Sequence, residues 1–238
     1  VRNCWCTYYN YVNKASKDGI SVKHPVHAIA ALPAFLLWSI SLLLPVQWAS
    51  AFGSFIVGLI GPFHRKHTRI VRNLRSAFPD LDENELVKVT HDTWRNAGAV
   101  LSELPHSRRI AQQRVMSEIA PATQKLIDDG TPFLVLSAHL ANWEIITFTL
   151  AETIGPTTFV YTPDRNPYIA RLVQRFRTHP DCEYVSKESA VRTMLHAAKH
   201  DRSIATMGDT RVDGGVLLPL FNLDAPTTTV PIRVAQRI

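Results

Sequence analysis

His139-Leu140-Ala141-Asn142-Trp143-Glu144 bring an imidazole and a carboxylate into one short stretch. An apolar run, Phe133-Leu134-Val135-Leu136, precedes them, and Ile145-Ile146-Thr147-Phe148 follows. That order predicts a strand, a tight loop and a helix. Both groups then sit at the carboxyl end of a strand, where open α/β sheets build their sites. On one regular helix, the five steps from His139 to Glu144 at about 100° each would leave them roughly 140° apart. If His139 ends the strand and Glu144 lies in the first helical turn, the carboxylate can fold back onto the imidazole. Asn142 is the expected N-cap, and an acid in the first turn suits the helix dipole. Glu144 is expected to accept from one ring nitrogen, leaving the other free as a general base.

Further polar groups fall at predicted strand ends. Asp164-Arg165-Asn166 follows a strand ending at Tyr161, and Gly208-Asp209-Thr210-Arg211 follows one ending at Met207. Each loop alone is turn chemistry. Together they place His, Glu, Arg and Asp along one edge of a sheet. Arg165 and Arg175 are candidates to grip a phosphate with paired hydrogen bonds. Asn142 and Asp209 are further candidates for substrate contact. One histidine with scattered carboxylates does not make a zinc site, so no metal and no cofactor are expected.

The composition suits a folded domain of substantial core. Of 238 residues, 46% are hydrophobic and 19% charged, which excludes global disorder. The net charge of +6 and pI of about 9.4 favour anionic partners. Nucleic acid is not among those expected: there is no zinc-finger spacing, no RNA-recognition aromatic set and no long basic helix. Cys4 and Cys6 stand too close for an ordinary disulfide or zinc pair, and Cys182 is alone. All three are expected to be reduced, on a cytosol-facing protein.

Ala28 to Val46 carries no charge, and neither does Trp48 to Phe63. Nineteen helical residues span about 28 Å, close to a bilayer core. Arg2, Lys14, Lys17 and Lys23 precede this region; Arg65, Lys66, Arg69, Arg72 and Arg75 follow it. Basic flanks prefer the cytoplasmic side, and here both flanks are basic. A membrane-dipping hairpin or an in-plane anchor fits better than one clean span. A buried hairpin of a soluble protein stays open. The expected division is a basic segment over 1–27, a hydrophobic anchor over 28–63 and an α/β domain over 64–238.

Within that domain Phe78-Pro79 breaks one helix, and Asp82-Glu83-Asn84-Glu85 starts another that runs towards Leu104. A short helix is expected over Pro121 to Asp128. Beyond the His139 loop come strands over 157–161, 183–186, 203–207 and 216–221. Helices over 167–178 and 190–200 alternate with them, and Ile238 falls inside a further helix. Strands alternating with helices imply βαβ units and a mainly parallel sheet, hence an α/β fold.

These residues resemble a known family. A His-x4-Glu motif after a strand, behind a hydrophobic amino-terminal segment with basic flanks, is similar to the glycerolipid acyltransferase superfamily. Three segments resemble its bacterial lipid A late acyltransferase branch, of lauroyl or myristoyl type. They are Arg72-Asn73-Leu74-Arg75-Ser76-Ala77-Phe78-Pro79, then Val160-Tyr161-Thr162-Pro163 with Asn166-Pro167, then Asp209 with Pro219-Leu220-Phe221 and Ala225 with Thr227-Thr228-Thr229. The branch has arginine where Thr162 stands here, and its members usually continue beyond the position of Ile238. The resemblance implies acyl transfer from acyl carrier protein to a hydroxyl of a phosphorylated lipid A precursor. The setting it implies is the cytoplasmic face of the inner membrane, with membrane lipid as a further partner. His139 would be the base and Glu144 its orienting partner. Phosphatidylinositol mannoside or lysophospholipid acylation stays open, as does a non-catalytic lipid-binding module; a metal hydrolase ranks last.

Overall fold

Pro45 divides the long apolar run into two helices. It has no N–H to donate and pushes Leu44 towards extended backbone, so one helix stops and another begins. Helix α1 spans Pro25–Leu43, and α2 spans Val46–Ile60 with a 3-10 turn over Gly61–Phe63. The computed structural model describes residues 25–187, 190–221 and 223–237. Cys4, Cys6 and the basic residues before Lys23, together with Lys23 itself, lie outside them.

Helix α3 (His67–Ala77) carries the basic cluster, and Phe78 ends it. Helix α4 (Glu83–Glu103) starts where the sequence predicts, with a capping box. Asp82 accepts from the Glu85 N–H at 2.8 Å, and Glu85 accepts from the Asp82 N–H at 3.1 Å. Helices α2 and α4 pack through glycine. A Cβ placed on Gly53 would lie 2.3 Å from the Gly98 carbonyl oxygen, and one on Gly98 would lie 2.1 Å from the Gly53 oxygen. Only bare backbone fits there. Trp94 lies against Gly61 and donates from Nε1 to His67 Nδ1 at 3.2 Å, so it is a packing residue.

A 3-10 turn (Leu104–His106) and α5 (Ser107–Arg114) follow, then α6 (Pro121–Asp128). Helix α5 is not foreseen in the sequence reading, which ends the preceding helix at Pro105. The α/β unit comprises β1 (Leu134–Ser137), α7 (Ile146–Ile154), β2 (Thr157–Tyr161) and α8 (Pro167–Arg177). It continues with β3 (Cys182–Ser186), α9 (Ala190–Ala198) and β4 (Ser203–Met207). The four strands form one parallel sheet in the order β1-β4-β2-β3. Alternate residues of β4 face opposite layers. Ile204 packs with Met194 and Ala197 of α9 and with Val234 of α10 (Val230–Ala235). Ala205 packs with Ala151 of α7, Phe159 and Cys182 on the other side. The protein is therefore an α/β fold with a parallel sheet between helices, as the alternating pattern predicts.

The last strands differ from expectation. The segment over 216–221 does not join the parallel sheet. It belongs to a longer strand, β5 (Arg211–Leu220), paired antiparallel with β6 (Leu223–Thr227) as a separate hairpin. Helix α10 ends at Ala235, and Ile238 lies outside the described residues.

Helix α1 is bound on one side to the α/β unit, to α4 and to the 3-10 turn that follows α4. Asn166 Nδ2 donates to the His27 carbonyl at 2.7 Å, and Trp38 Nε1 donates to the Leu101 carbonyl at 2.7 Å. His106 Nε2 meets the Ser41 carbonyl at 2.9 Å, and the Trp38 ring meets Phe176 edge-on. On the opposite side Val26, Ile29, Leu32, Leu36 and Leu43 are exposed.

Candidate active site

The register of β1 on β4 assembles the site. Ser137 pairs with Met207 at the carboxyl ends of the two strands. Two residues further along each chain stand His139 and Asp209, and they meet. Asp209 Oδ1 lies 2.8 Å from His139 Nδ1, and Asp209 Oδ2 accepts the His139 backbone N–H at 2.7 Å. The carboxylate thus clamps ring and backbone of the same residue. Partial burial by itself would raise the Asp209 pKa, but the hydrogen bonds to His139 together outweigh it and hold the carboxyl below its ordinary pKa. An ionised carboxylate only accepts, so Nδ1 carries a proton, and in the neutral imidazole the lone pair is then on Nε2. Among the described residues nothing bonds to Nε2, and the His139 side chain is 45% exposed. The Trp143 ring supports the imidazole edge-on, with centroids 5.2 Å apart.

The loop is tight enough to present that ring. The Leu140 N–H bonds back to the Ala138 carbonyl at 2.8 Å. Ala141 adopts a left-handed φ of 45°, which costs a non-glycine residue about 1–2 kcal/mol. Asn142 is the N-cap foreseen from the sequence: its Oδ1 accepts from the Glu144 N–H at 3.2 Å, opening a 3-10 turn over Trp143–Ile145. Its Nδ2 donates to Glu103 at the end of α4, at 2.7 Å. Both ends of the Asn142 amide are therefore engaged within the protein.

Glu144 does not fold back onto His139. It is buried and paired with Arg177 of α8, whose Nε donates to Oε2 at 2.6 Å while Nη2 donates to Oε1. Burial alone would lower the Arg177 pKa; the Glu144 carboxylate overcomes this and raises it. The guanidinium also faces the Tyr184 ring, 6.0 Å from its centroid. Tyr184 donates to Thr147 Oγ1 at 2.8 Å, and burial holds its phenol far above the ordinary range, so it stays a neutral donor. The physical reason for the changed partner is position. Glu144 follows the cap, where the turn aims it into the sheet–helix interior, while Asp209 arrives from the neighbouring strand end directly beside His139.

In the sequence Arg177 stands out only as one of the arginines of a basic helix. Arg171 and Arg175 share a face at i, i+4, whereas Arg177 is two residues beyond Arg175, about 200° around the helix. Accordingly Arg175 is exposed and Arg177 turns inward. Arg165 is exposed in the loop after β2, where Asp164 caps the turn by accepting from the Asn166 N–H at 2.7 Å. Among the described residues no three His, Cys, Asp or Glu side chains gather where they could hold a metal ion.

A strand-end histidine with an orienting carboxylate and a free Nε2 suits proton abstraction from a hydroxyl. Comparison with individual curated proteins gives no match. The sequence profile described as bacterial lipid A biosynthesis acyltransferase matches residues 16–238. The motifs around His139, Phe78 and Asp209 lie within that match, and the chain belongs to the bacterial lipid A biosynthesis acyltransferase family.

Proposed function

We propose that this chain moves a fatty acyl group from the thioester of acyl carrier protein to a hydroxyl of a phosphorylated lipid A precursor. The observation that carries this reading is the Asp209-clamped imidazole with Nε2 open to solvent, in a chain of an acyltransferase family. His139 Nε2 accepts the proton of the acceptor hydroxyl as its oxygen attacks the thioester carbonyl. The tetrahedral intermediate then collapses, the carbon–sulfur bond breaks, and the imidazolium returns the proton to the departing thiolate. Asp209 stabilises the transient imidazolium. A positioned base of this kind contributes roughly 10²–10⁴-fold. Within the 139–144 loop the N–H groups of His139, Leu140 and Glu144 are already bonded, which leaves those of Ala141, Asn142 and Trp143 as the natural donors to the oxyanion.

Glu144 and Asn142 act behind the histidine in this reading. The Glu144–Arg177 pair ties the loop to α8, and Asn142–Glu103 ties it to α4. Arg165 and Arg175 are exposed cations suited to acceptor phosphates, and the basic surface suits an acidic carrier protein. Helices α1 and α2 would hold the protein at the inner membrane, with the catalytic unit on the cytoplasmic face. Their lengths and apolar composition allow it: 19 residues in α1, and 18 over Val46–Phe63.

The test is acyl transfer from acyl carrier protein to a lipid A precursor, followed by mass spectrometry of the product. Wild type should add one acyl chain and His139→Ala should not. A lysophospholipid accepted in preference to the lipid A precursor would replace the acceptor while leaving the base in place. Wild-type rates in a folded His139→Ala protein would remove the mechanism.

A further inference from the structure

The β5–β6 hairpin starts two residues after Asp209 and shows an uncharged apolar face to solvent. Its register puts Val216 opposite Thr227, Leu218 opposite Ala225 and Leu220 opposite Leu223. Residues alternate between faces along a strand, so these six share one side. Val216, Leu218, Leu220 and Leu223 on that side are each about half exposed. The opposite side carries the exposed Leu217 together with the one acid of the distal hairpin, Asp224, which pairs with Pro219. At the turn, the exposed Phe221 ring lies 5.3 Å from Phe78, the residue that ends α3.

Helix α3 gives the patch its chemical context. No acidic residue occurs between Asp18 and Asp80. Arg65, Lys66, Arg69 and Arg72 are exposed, and none has an ion-pair partner among the described residues; Arg75 pairs with Glu83 at 2.6 Å. Thr68, Val71, Arg72, Arg75 and Ser76 line a shallow depression of about 330 Å³ on this helix. Unpartnered cations thus border an exposed apolar surface through the Phe78–Phe221 contact. An anionic bilayer has the matching profile, with phosphate charge above and hydrocarbon below. An exposed apolar hairpin edge left bare in water would be an aggregation hazard.

We propose that the β5–β6 hairpin is a second lipid-inserting element, separate in sequence from α1 and α2. Its Val216, Leu218, Leu220 and Leu223 face enters the interface of an anionic bilayer while the free cations before and within α3 take lipid phosphates. The proposal rests on the membrane reading above for the presence of a bilayer, and it adds a contact next to the His139 centre. Insertion there would set the site at the depth where a lipid-borne hydroxyl emerges.

The experiment uses the intact chain with Cys4→Ser, Cys6→Ser and Cys182→Ala, and single cysteines carrying an environment-sensitive fluorophore. The positions are Leu220→Cys on the apolar face, Asp224→Cys on the other face and Leu36→Cys on α1. Vesicles are equimolar phosphatidylcholine and phosphatidylglycerol with brominated acyl chains. The expected result is a blue shift and strong quenching at Leu220 and Leu36, with weaker quenching at Asp224. In a separate measurement Leu220→Asp should weaken vesicle partitioning roughly tenfold without altering the circular dichroism spectrum. Quenching at Leu36 but not at Leu220 overturns the hairpin proposal and leaves the anchor reading intact. Absence of quenching at both removes the membrane reading, and the hairpin proposal with it. Protection of the Leu220 label from aqueous iodide without vesicles, rising with protein concentration, would show a second copy covering the face and would also overturn it.

Discussion

At the scale of single residues, two carboxylates divide the work that the linear motif suggests for one. Asp209→Asn should lower transfer by about 10²–10⁴-fold, close to His139→Ala, because the amide neither fixes the Nδ1 proton nor stabilises the imidazolium. Steady-state rates on folded protein check this. The pH dependence has a defined sign. The folded-state pKa of Asp209 is lowered, so its contribution to stability is complete above the unfolded value of about 3.9 and disappears as pH falls through the folded value. The side chains are 45% and 37% exposed, so that contribution is under about 1 kcal/mol. Denaturation midpoints of wild type and Asp209→Asn should therefore differ at neutral pH and converge in acid. Glu144 behaves differently because its partner is buried. Glu144→Gln strips Arg177 of its countercharge and should cost about 3–5 kcal/mol. Glu144→Gln should also lower transfer by loosening the loop that presents His139, and Arg177→Met should reproduce both losses. If Arg177→Met kept full activity while Glu144→Gln did not, Glu144 would have to act on His139 directly. Ala141→Gly relieves the left-handed strain and should add up to about 1 kcal/mol, read as a higher melting temperature.

At the scale of elements, local patterns are legible where local forces decide. The β2 and β4 limits, the helix start at Asp82 and the stop at Phe78 follow from periodicity, caps and breakers in the chain itself. The site is half legible for the same reason. The strand-loop-helix around His139 and the Asn142 cap are local, and so are foreseeable. The His139–Asp209 pairing depends on β1 lying beside β4 across seventy residues of intervening chain, which no short-range pattern encodes. The switch of Glu144 to Arg177 depends on how α8 crosses the sheet. Helix α5 is hidden in the sequence because Pro105 reads as a terminator, yet Pro is tolerated in a first turn and the 3-10 turn absorbs it. The contact between α2 and α4 gives a direct test of element packing. Gly98→Ala would drive a methyl group into the Gly53 backbone, so the helices must separate, at a cost of about 1–3 kcal/mol or more. Thermal unfolding in detergent should show that loss. Gly130→Ala meets no atom within 4 Å, but Gly130 has φ of 69°, so it should lose only the modest cost of backbone strain.

At the scale of the whole molecule, the route of α1 decides how the protein meets a membrane. A helix that crosses a bilayer alone shows lipid on all sides along its length. Here one side of α1 is held near both ends, by Asn166 of the α/β unit at the His27 carbonyl and by His106 of the 3-10 turn after α4 at the Ser41 carbonyl. Between them Trp38 contacts both α4 and Phe176 on α8. The distance from His27 to Ser41 is about 21 Å of helix. The opposite half of its circumference, with Val26, Ile29, Leu32, Phe35, Leu36, Ile40, Leu42 and Leu43, is open. That two-sided character fits a helix lying in the membrane interface more closely than a span. Pro45 turns the chain back into α2, whose exposed Trp48, Phe55 and Leu59 extend the apolar surface. Both basic flanks are then expected on the cytoplasmic side. Single cysteines at Lys17 and Lys66 should react with an impermeant thiol reagent from the same side of inverted vesicles. A depth measurement with lipid quenchers at different acyl positions should place labels at Ile29, Leu36 and Leu43 at one shared shallow depth. A rise and fall in depth along those positions, with Lys17 and Lys66 on opposite sides, would mean that α1 leaves the catalytic unit and spans. In that case the hydrogen bonds to Asn166, Leu101 and His106 could not persist in the membrane-bound protein, and Trp38→Phe would leave stability unchanged there. With α1 in plane, Trp38→Phe removes a hydrogen bond that anchors the helix and should destabilise the bound protein by about 0.5–1.5 kcal/mol.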